Sequence, residues 1–550
     1  MTTQTSSKQV RSHGADSTER ASGLTGTGEL VRLFLRLDRL HLPLWILGIV
    51  GIVAASASAV QGFYDTPELR AGYAATVSSS PAAIVMSGPP QALDTVGGIT
   101  LFEINLTSLV GIALMAIFLT VRHTRAEEEA GRTELLRAGV LGRHAPLAAA
   151  LIVVGAASML VGALIALSLI GLGLPADGSL LFGAATACLG LVFVAVSAVT
   201  AQVSEHARAT LGLAVAVLGV AWALRSLGDV RDNGASWLSP VGWVQAVHAF
   251  GDQRWWPLVL PVALTAVLIM VAALLTRRRD VGAGLVATRP GPPRASAVLS
   301  SAAGLALVQQ RATLFWWSVG LFLTGLTFGS FGNEISTMVE DNPTLSEVLG
   351  GASGEDLIAA YFGLIMLILV LIVSCFTASS VHRLRGEEGA GRTELALSTR
   401  TPRTAWLLGW LTVSMLGSVL VLTAAGAGVA VSDAVASGSA ARTGELIGAA
   451  LAYLPALGVI GGLATALYGW APRLGVLTWV VIAGCFVLGW LGELLRIPEQ
   501  VRDLSPFNLT PRLPAETVDW SVLILLLAVA LALLVLGVVG FRRRDVVSSA

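Results

Sequence analysis

The chain has 550 residues, 54% of them hydrophobic and only 13% charged, with 35 basic and 35 acidic side chains that cancel. Soluble domains carry about twice that charge fraction, so the composition excludes an ordinary soluble domain, and the balanced charge gives no electrostatic footprint for nucleic acid. Apolar runs such as Val522 to Phe541 recur along the chain, and about 20 apolar residues cross the hydrocarbon core as a helix.

Taken in chain order, residues 1–28 are rich in Ser, Thr and Gly and hold no apolar signal core, which predicts a disordered cytoplasmic tail rather than a cleaved leader. Leu30 to His41 reads LVRLFLRLDRLH. Arg alternates with Leu and Phe at helical spacing, as in a helix lying at the membrane interface; the alternative is an extension of the first span. Ser296 to Arg311 is its weaker counterpart. Twelve spans follow, near 43–61, 100–121, 147–172, 178–203, 209–226, 256–276, 313–332, 357–380, 405–432, 445–469, 474–494 and 519–541. The expected fold is an all-α membrane protein, because backbone polar groups in lipid must be satisfied within the segment. With the N-terminus inside, cytoplasmic segments hold 27 basic residues and external ones 8. That bias predicts both termini in the cytoplasm of a multi-pass inner-membrane protein. Cys188, Cys375 and Cys485 each fall inside an apolar run, which suits buried thiols rather than disulfides or a metal site.

One short charged phrase occurs twice. Residues 121–135 and 381–395 share ten identities in fifteen, among them Arg125/Arg385, Glu127/Glu387, Glu128/Glu388, Gly131/Gly391, Arg132/Arg392, Glu134/Glu394 and Leu135/Leu395. Leu238–Pro240 (LSP) recurs at 504–506, and Arg277–Val281 (RRRDV) at 542–546. Arg39, Trp45 and Gly48 match Arg311, Trp317 and Gly320. Repetition at this scale predicts two six-helix halves, 29–281 and 303–546, joined by a cytoplasmic Gly/Pro/Ala/Ser-rich linker over 282–302. Even span numbers make the halves parallel, related by a pseudo-two-fold axis along the membrane normal.

Both copies of the phrase fall between the second and third spans of their half, on the cytoplasmic side. Helix-favouring residues dominate them, and Glu128–Arg132 and Glu388–Arg392 are spaced for i, i+4 ion pairs. Gly131 and Gly391 interrupt the pattern, implying a break or a close backbone approach. Exposed pairs contribute little to stability, so repeated charges favour a docked protein surface over a solvated turn. The only lysine is Lys8, in the tail after Thr5, Ser6 and Ser7. A Walker A loop needs a lysine after a Gly-rich loop, so a separate chain would have to hydrolyse any ATP.

These features resemble the fused ABC-2 type permeases: an EE-x-x-GR-x-EL phrase after each second span, a paired LSP before each last span, and an RRRD close. The nearest group is the actinobacterial exporter of polyketide antibiotics type, named for the tetronasin-resistance permease. The resemblance covers nearly all of the chain beyond the tail. It implies a permease that moves amphiphilic drugs or polyketides outward and pairs with two copies of a separate ABC ATP-binding subunit. ATP and Mg would bind the partner, and no cofactor would bind this chain. It also implies that Glu127, Glu128, Arg132 and Glu134, with Glu387, Glu388, Arg392 and Glu394, seat in the ATPase as coupling helices. Glu129 against Gly389 and Leu136 against Ala396 leave open whether the two sites are equivalent.

Candidates for the transport path are few. Glu103 and Asn105 in the second span, Arg225 ending the fifth and Glu493 ending the eleventh are polar groups near membrane depth. Phe322 and Phe328 could line an apolar pocket, with lipid contact as the alternative. Trp255, Trp256, Phe315, Trp316 and Trp317 read as interfacial belts. The alternative function is a proton-coupled twelve-helix drug antiporter of the major facilitator type, which needs a titrating carboxylate inside the membrane. A membrane-embedded enzyme is disfavoured because the seven histidines are scattered.

Overall fold

The computed structural model describes residues 23–78, 81–132, 141–279, 284–286, 293–329, 332, 354–491 and 497–546. The described elements are helices, with no strand among them. Twelve are long and apolar enough to span a membrane: His41–Phe63, Val96–Glu129, Ala145–Gly171, Ala176–Val203, Ala207–Arg231, Trp256–Arg278, Ala302–Gly329, Glu355–Gly389, Arg403–Ser437, Thr443–Trp470, Pro472–Gly489 and Trp520–Arg543. Each overlaps one span read from the sequence. Most of the expected tail, and residues 282–283 and 287–292 of the expected linker, lie outside the described residues.

The chain divides into two compact units, Met1–Pro290 and Gly291–Ala550. Within the first, spans two, three and four are the most buried, and spans one, five and six expose most of their surface. Within the second, spans eight, nine and ten are buried, and seven, eleven and twelve are peripheral. The peripheral helices leave Leu44, Leu47, Ile524 and Leu531 bare. Acyl chains are as apolar as leucine, so such exposure is not penalised in a bilayer, and helices associate there by close packing of small residues. Gly162 of span three and Gly183 of span four show this contact: a Cβ on either would lie 2.3 Å from the other's carbonyl oxygen.

The units differ at their starts. Thr27–Leu37 is a separate helix that buries Leu30 and Phe34 while its arginines stay exposed. It packs against span three and stops at Asp38. In the second unit the corresponding stretch continues into span seven as one helix, Ala302–Gly329. The residue at the break differs between the units. A buried carboxylate must be paired, and Asp38 at the break is fully buried and ion-paired with His123 and with Arg122 at 3.3 Å. Its counterpart is the neutral Gln310, which stays helical and accepts a hydrogen bond from the Ser380 hydroxyl at 2.5 Å.

Candidate functional site

The charged phrase ends a helix in both units. Span two passes through a π turn at Arg122–Ala126 and closes at Glu127–Glu129. Span eight runs unbroken to Gly389. Gly131 and Gly391 then both adopt φ +72°, and each donates its N–H to the carbonyl three residues back, Glu128 or Glu388, at 3.0 Å. Left-handed glycines of this kind terminate helices. A Cβ at either position would meet nothing within 4 Å, so the glycines serve the backbone turn and not a close approach.

That turn rearranges the expected ion pairs. The i, i+4 pairing of Glu128 with Arg132 and of Glu388 with Arg392 does not form, because the helix breaks between the partners. Arg132 instead donates Nε and Nη2 to Glu127 at 2.6 and 2.7 Å. Arg392 binds Glu387 in the same bidentate way, both at 2.7 Å. Its hydrogen bond to Glu387 holds the Arg392 guanidinium above its ordinary pKa.

Glu128 and Glu388 turn inward, toward the last span of their own unit. Arg279 donates Nη2 to both Glu128 oxygens at 2.6 and 2.7 Å, and Arg125 adds a third bond at 2.6 Å. Arg544 clamps Glu388 with two bonds at 2.6 and 2.5 Å. Arg279 and Arg544 are each the third arginine of an RRRD sequence, so the two repeated motifs of a half meet in one place. Burial lowers the Arg544 pKa, and the Glu388 carboxylate more than offsets it, leaving the guanidinium above its usual value.

Two further spans join each cluster. Arg143, at the start of span three, donates to the Thr276 and Arg279 carbonyls at 3.0 and 2.8 Å. Arg403, at the start of span nine, donates to the Arg544 carbonyl at 2.9 Å. Arg279 reaches the Ala201 carbonyl of span four at 3.1 Å. Arg544 lies 4.9 Å over the Tyr468 ring of span ten. Sequence reasoning missed Arg143 and Arg403. The signal was present, since they stand 260 positions apart, the same offset as the phrase.

What remains on the outside is charged and apolar together. Arg132 is 60% exposed and Arg392 56%. In the short helix Arg392–Leu397, Thr393 is buried while Glu394 faces outward and Leu395 is 73% exposed. Glu134, Leu135 and Leu136 lie outside the described residues. The departure at Glu129 has a structural role: its carboxylate accepts the Ala207 N–H at the start of span five, at 2.9 Å. Gly389 offers no such group.

The polar residues considered for the transport path make contacts with the helices between spans one and two. Glu103 accepts a hydrogen bond from the Tyr73 hydroxyl of the helix Pro67–Ser78. Asn105 donates to the Ser87 carbonyl at 2.7 Å. Arg225 is fully buried and donates to the Ile84 and Val85 carbonyls at 2.8 and 2.7 Å. Asn105 and Arg225 thus cap the C-terminus of the helix Pro81–Ser87 from spans two and five. Phe322 is half-buried where span seven meets span nine; a Cβ on Gly428 would lie 2.1 Å from its carbonyl oxygen. Phe328 is half-buried against the core of its unit, and its carbonyl accepts the Tyr361 hydroxyl at 2.7 Å. Glu493 lies outside the described residues. Among the described residues, no group of three or more His, Cys, Asp or Glu is placed to hold a metal ion.

The family model described as multidrug efflux system permease Rv1217c, C-terminal domain, matches residues 28–277 and again 299–542. The multidrug efflux system permease protein Rv1217c of Mycobacterium tuberculosis (strain ATCC 25618 / H37Rv) is 37% identical over 541 residues, spanning 98% of both chains. This relation is coarser than the polyketide-exporter resemblance and does not reach to that group. With twelve helices long and apolar enough to span a membrane and a family match repeated in both units, the chain belongs to the family of the multidrug efflux system permease Rv1217c and is a multi-pass membrane efflux permease, a transporter rather than an enzyme.

Proposed function

We propose that the chain is the transmembrane part of an ATP-driven exporter of the ABC type, moving amphiphilic drugs or polyketide-like compounds outward. Two copies of a separate ATP-binding subunit dock on the two charged phrases, and both termini face the cytoplasm with them. ATP and Mg bind the partner. The reading is supported most by one observation: each phrase shows an outer face while its inner carboxylate is ion-paired to the last span of the same unit. A push on the outer face is thereby carried to spans two, three, four and six, or eight, nine, ten and twelve. The absence of any lysine beyond Lys8 agrees with an external motor, since a P-loop depends on one.

Docking residues are assigned by their exposure. Arg132, Arg392, Glu394 and Leu395 form the contact, with Glu127 and Glu387 orienting the two arginines. Glu128 and Glu388 act through the cluster behind them. The test is co-purification with the candidate ATPase after Leu395→Asp, a 73% exposed position whose substitution breaks no internal ion pair. The variant is expected to lose the ATPase and cargo-stimulated hydrolysis while melting like the parent. Retained complex and unchanged hydrolysis would overturn the docking role. Charge reversal at Glu128 or Glu388 is unsuited to this purpose, because it breaks an internal ion pair as well.

A further inference from the structure

On the face of the second unit opposite the ion-pair cluster, spans ten and twelve enclose an open groove of about 880 Å³. That is drug-sized, within the range of about 300–1,000 Å³ typical of small-molecule pockets. Its walls are apolar, from Leu451, Leu454, Leu513, Trp520 and Leu523 among others. Two carboxylates share this lining, Glu445 and Glu516. Both are exposed. Glu516 accepts the Arg512 N–H at 3.0 Å, and no hydrogen bond or ion pair engages the Glu445 carboxylate among the described residues.

The groove lies where span ten is broken. Its first segment, Thr443–Leu451, ends before Ala452 and Tyr453, and the second, Leu454–Trp470, restarts with Pro455 in its first turn. Proline has no N–H to donate, so the Leu451 carbonyl lacks its i+4 partner at the groove wall. Span four, the counterpart, runs unbroken over Ala176–Val203. The second unit therefore has a break in this span that the first unit does not reproduce.

A lipid acyl chain would fill such a cleft without needing acid at its edge. Charge complementarity selects another occupant. Glu445 and Glu516 are the charged residues of this lining, which matches a cation carried on a bulky apolar body. We propose that this groove binds amphiphilic cations, their apolar part against Leu451, Leu454 and Leu523 and their charge between Glu445 and Glu516. The proposal rests on the efflux reading only for its purpose, that of a cargo site at the membrane face; the binding itself needs no ATPase.

The test measures tetraphenylphosphonium and tetraphenylborate, ions of matching shape and opposite charge, on the full chain in nanodiscs, with empty nanodiscs subtracted. In Glu445→Gln combined with Glu516→Gln, phosphonium affinity should fall by about tenfold and borate affinity should hold or rise, as exposed charge contacts are individually weak but additive here. Borate binding also reports that the variant is folded. Trp520→Phe should remove the part of the tryptophan quenching that tracks phosphonium. Equal response of both ions to the glutamine substitutions, or none, overturns the proposal and marks the groove as lipid-filled. Failure of ATPase docking with phosphonium binding intact would overturn the docking reading alone.

Discussion

Arg544→Met preserves an unbranched apolar stem but removes the guanidinium that clamps Glu388. The pair is short, at 2.5 and 2.6 Å, and poorly hydrated, with side chains 17% and 9% exposed. Breaking a buried ion pair by deleting one partner costs about 3–5 kcal/mol. Partial hydration reduces this to roughly 2–3 kcal/mol. In the first unit, Glu128 is 15% exposed and bound by Arg125 as well as Arg279, so Arg279→Met leaves one cation in place and should cost only about 1 kcal/mol. The assay is a double-mutant cycle with Glu388→Gln, read as unfolding by dodecyl sulfate in mixed micelles. A coupling energy near 2 kcal/mol is expected. Additivity within about 0.5 kcal/mol, or equal losses for Arg279→Met and Arg544→Met, would refute the reasoning.

Three further outcomes follow from local geometry. Gly391→Ala should cost about 1–2 kcal/mol, from φ +72° in open space, and Gly391→Asn less; an alanine variant as stable as the parent in the same unfolding assay would exclude backbone strain as the reason for glycine. Arg225→Met removes two caps from Pro81–Ser87, so amide exchange in that helix should quicken by about tenfold or more, while exchange in the buried span four stays slow. Asp519 lies just before span twelve and takes hydrogen bonds from the Ser521 hydroxyl and N–H, then from Val522, which hold its pKa below the usual carboxylate range. A lowered folded pKa stabilises above the unfolded value, about 3.9, and that contribution is lost as pH falls through the lowered value. Asp519→Asn should therefore flatten stability between about pH 5 and pH 3, and an unchanged acid slope would contradict the capping role.

The spans and the repeat were legible because each rests on a local signal, a long apolar run or an identity at fixed offset. Contacts between distant segments were not. Glu128 and Arg132 sit at ideal helical spacing, yet Gly131 turns the chain and gives Arg132 to Glu127. Nothing local predicts that Glu128 meets Arg279, although both belonged to motifs already seen to recur. Arg143 and Arg403 escaped because each is a lone arginine at a span end, where interfacial solvation explains it cheaply. Glu103, Asn105 and Arg225 were read as polar groups near membrane depth; their partners are helices of the loop between spans one and two, which periodicity alone could not fold back onto the bundle. The interfacial-helix reading divided between the units, with the ion-paired Asp38 at the break in the first and the neutral Gln310 within the continuous helix of the second.

Glu129 gives the first phrase a carboxylate that its twin lacks. By holding the start of span five, it braces the leading phrase against a fifth helix of its unit through a group that glycine cannot supply. On the proposed reading, two identical motors gripping this single polypeptide would thus meet footings that are not equivalent, an asymmetry that a fused chain permits and a pair of identical half-chains does not.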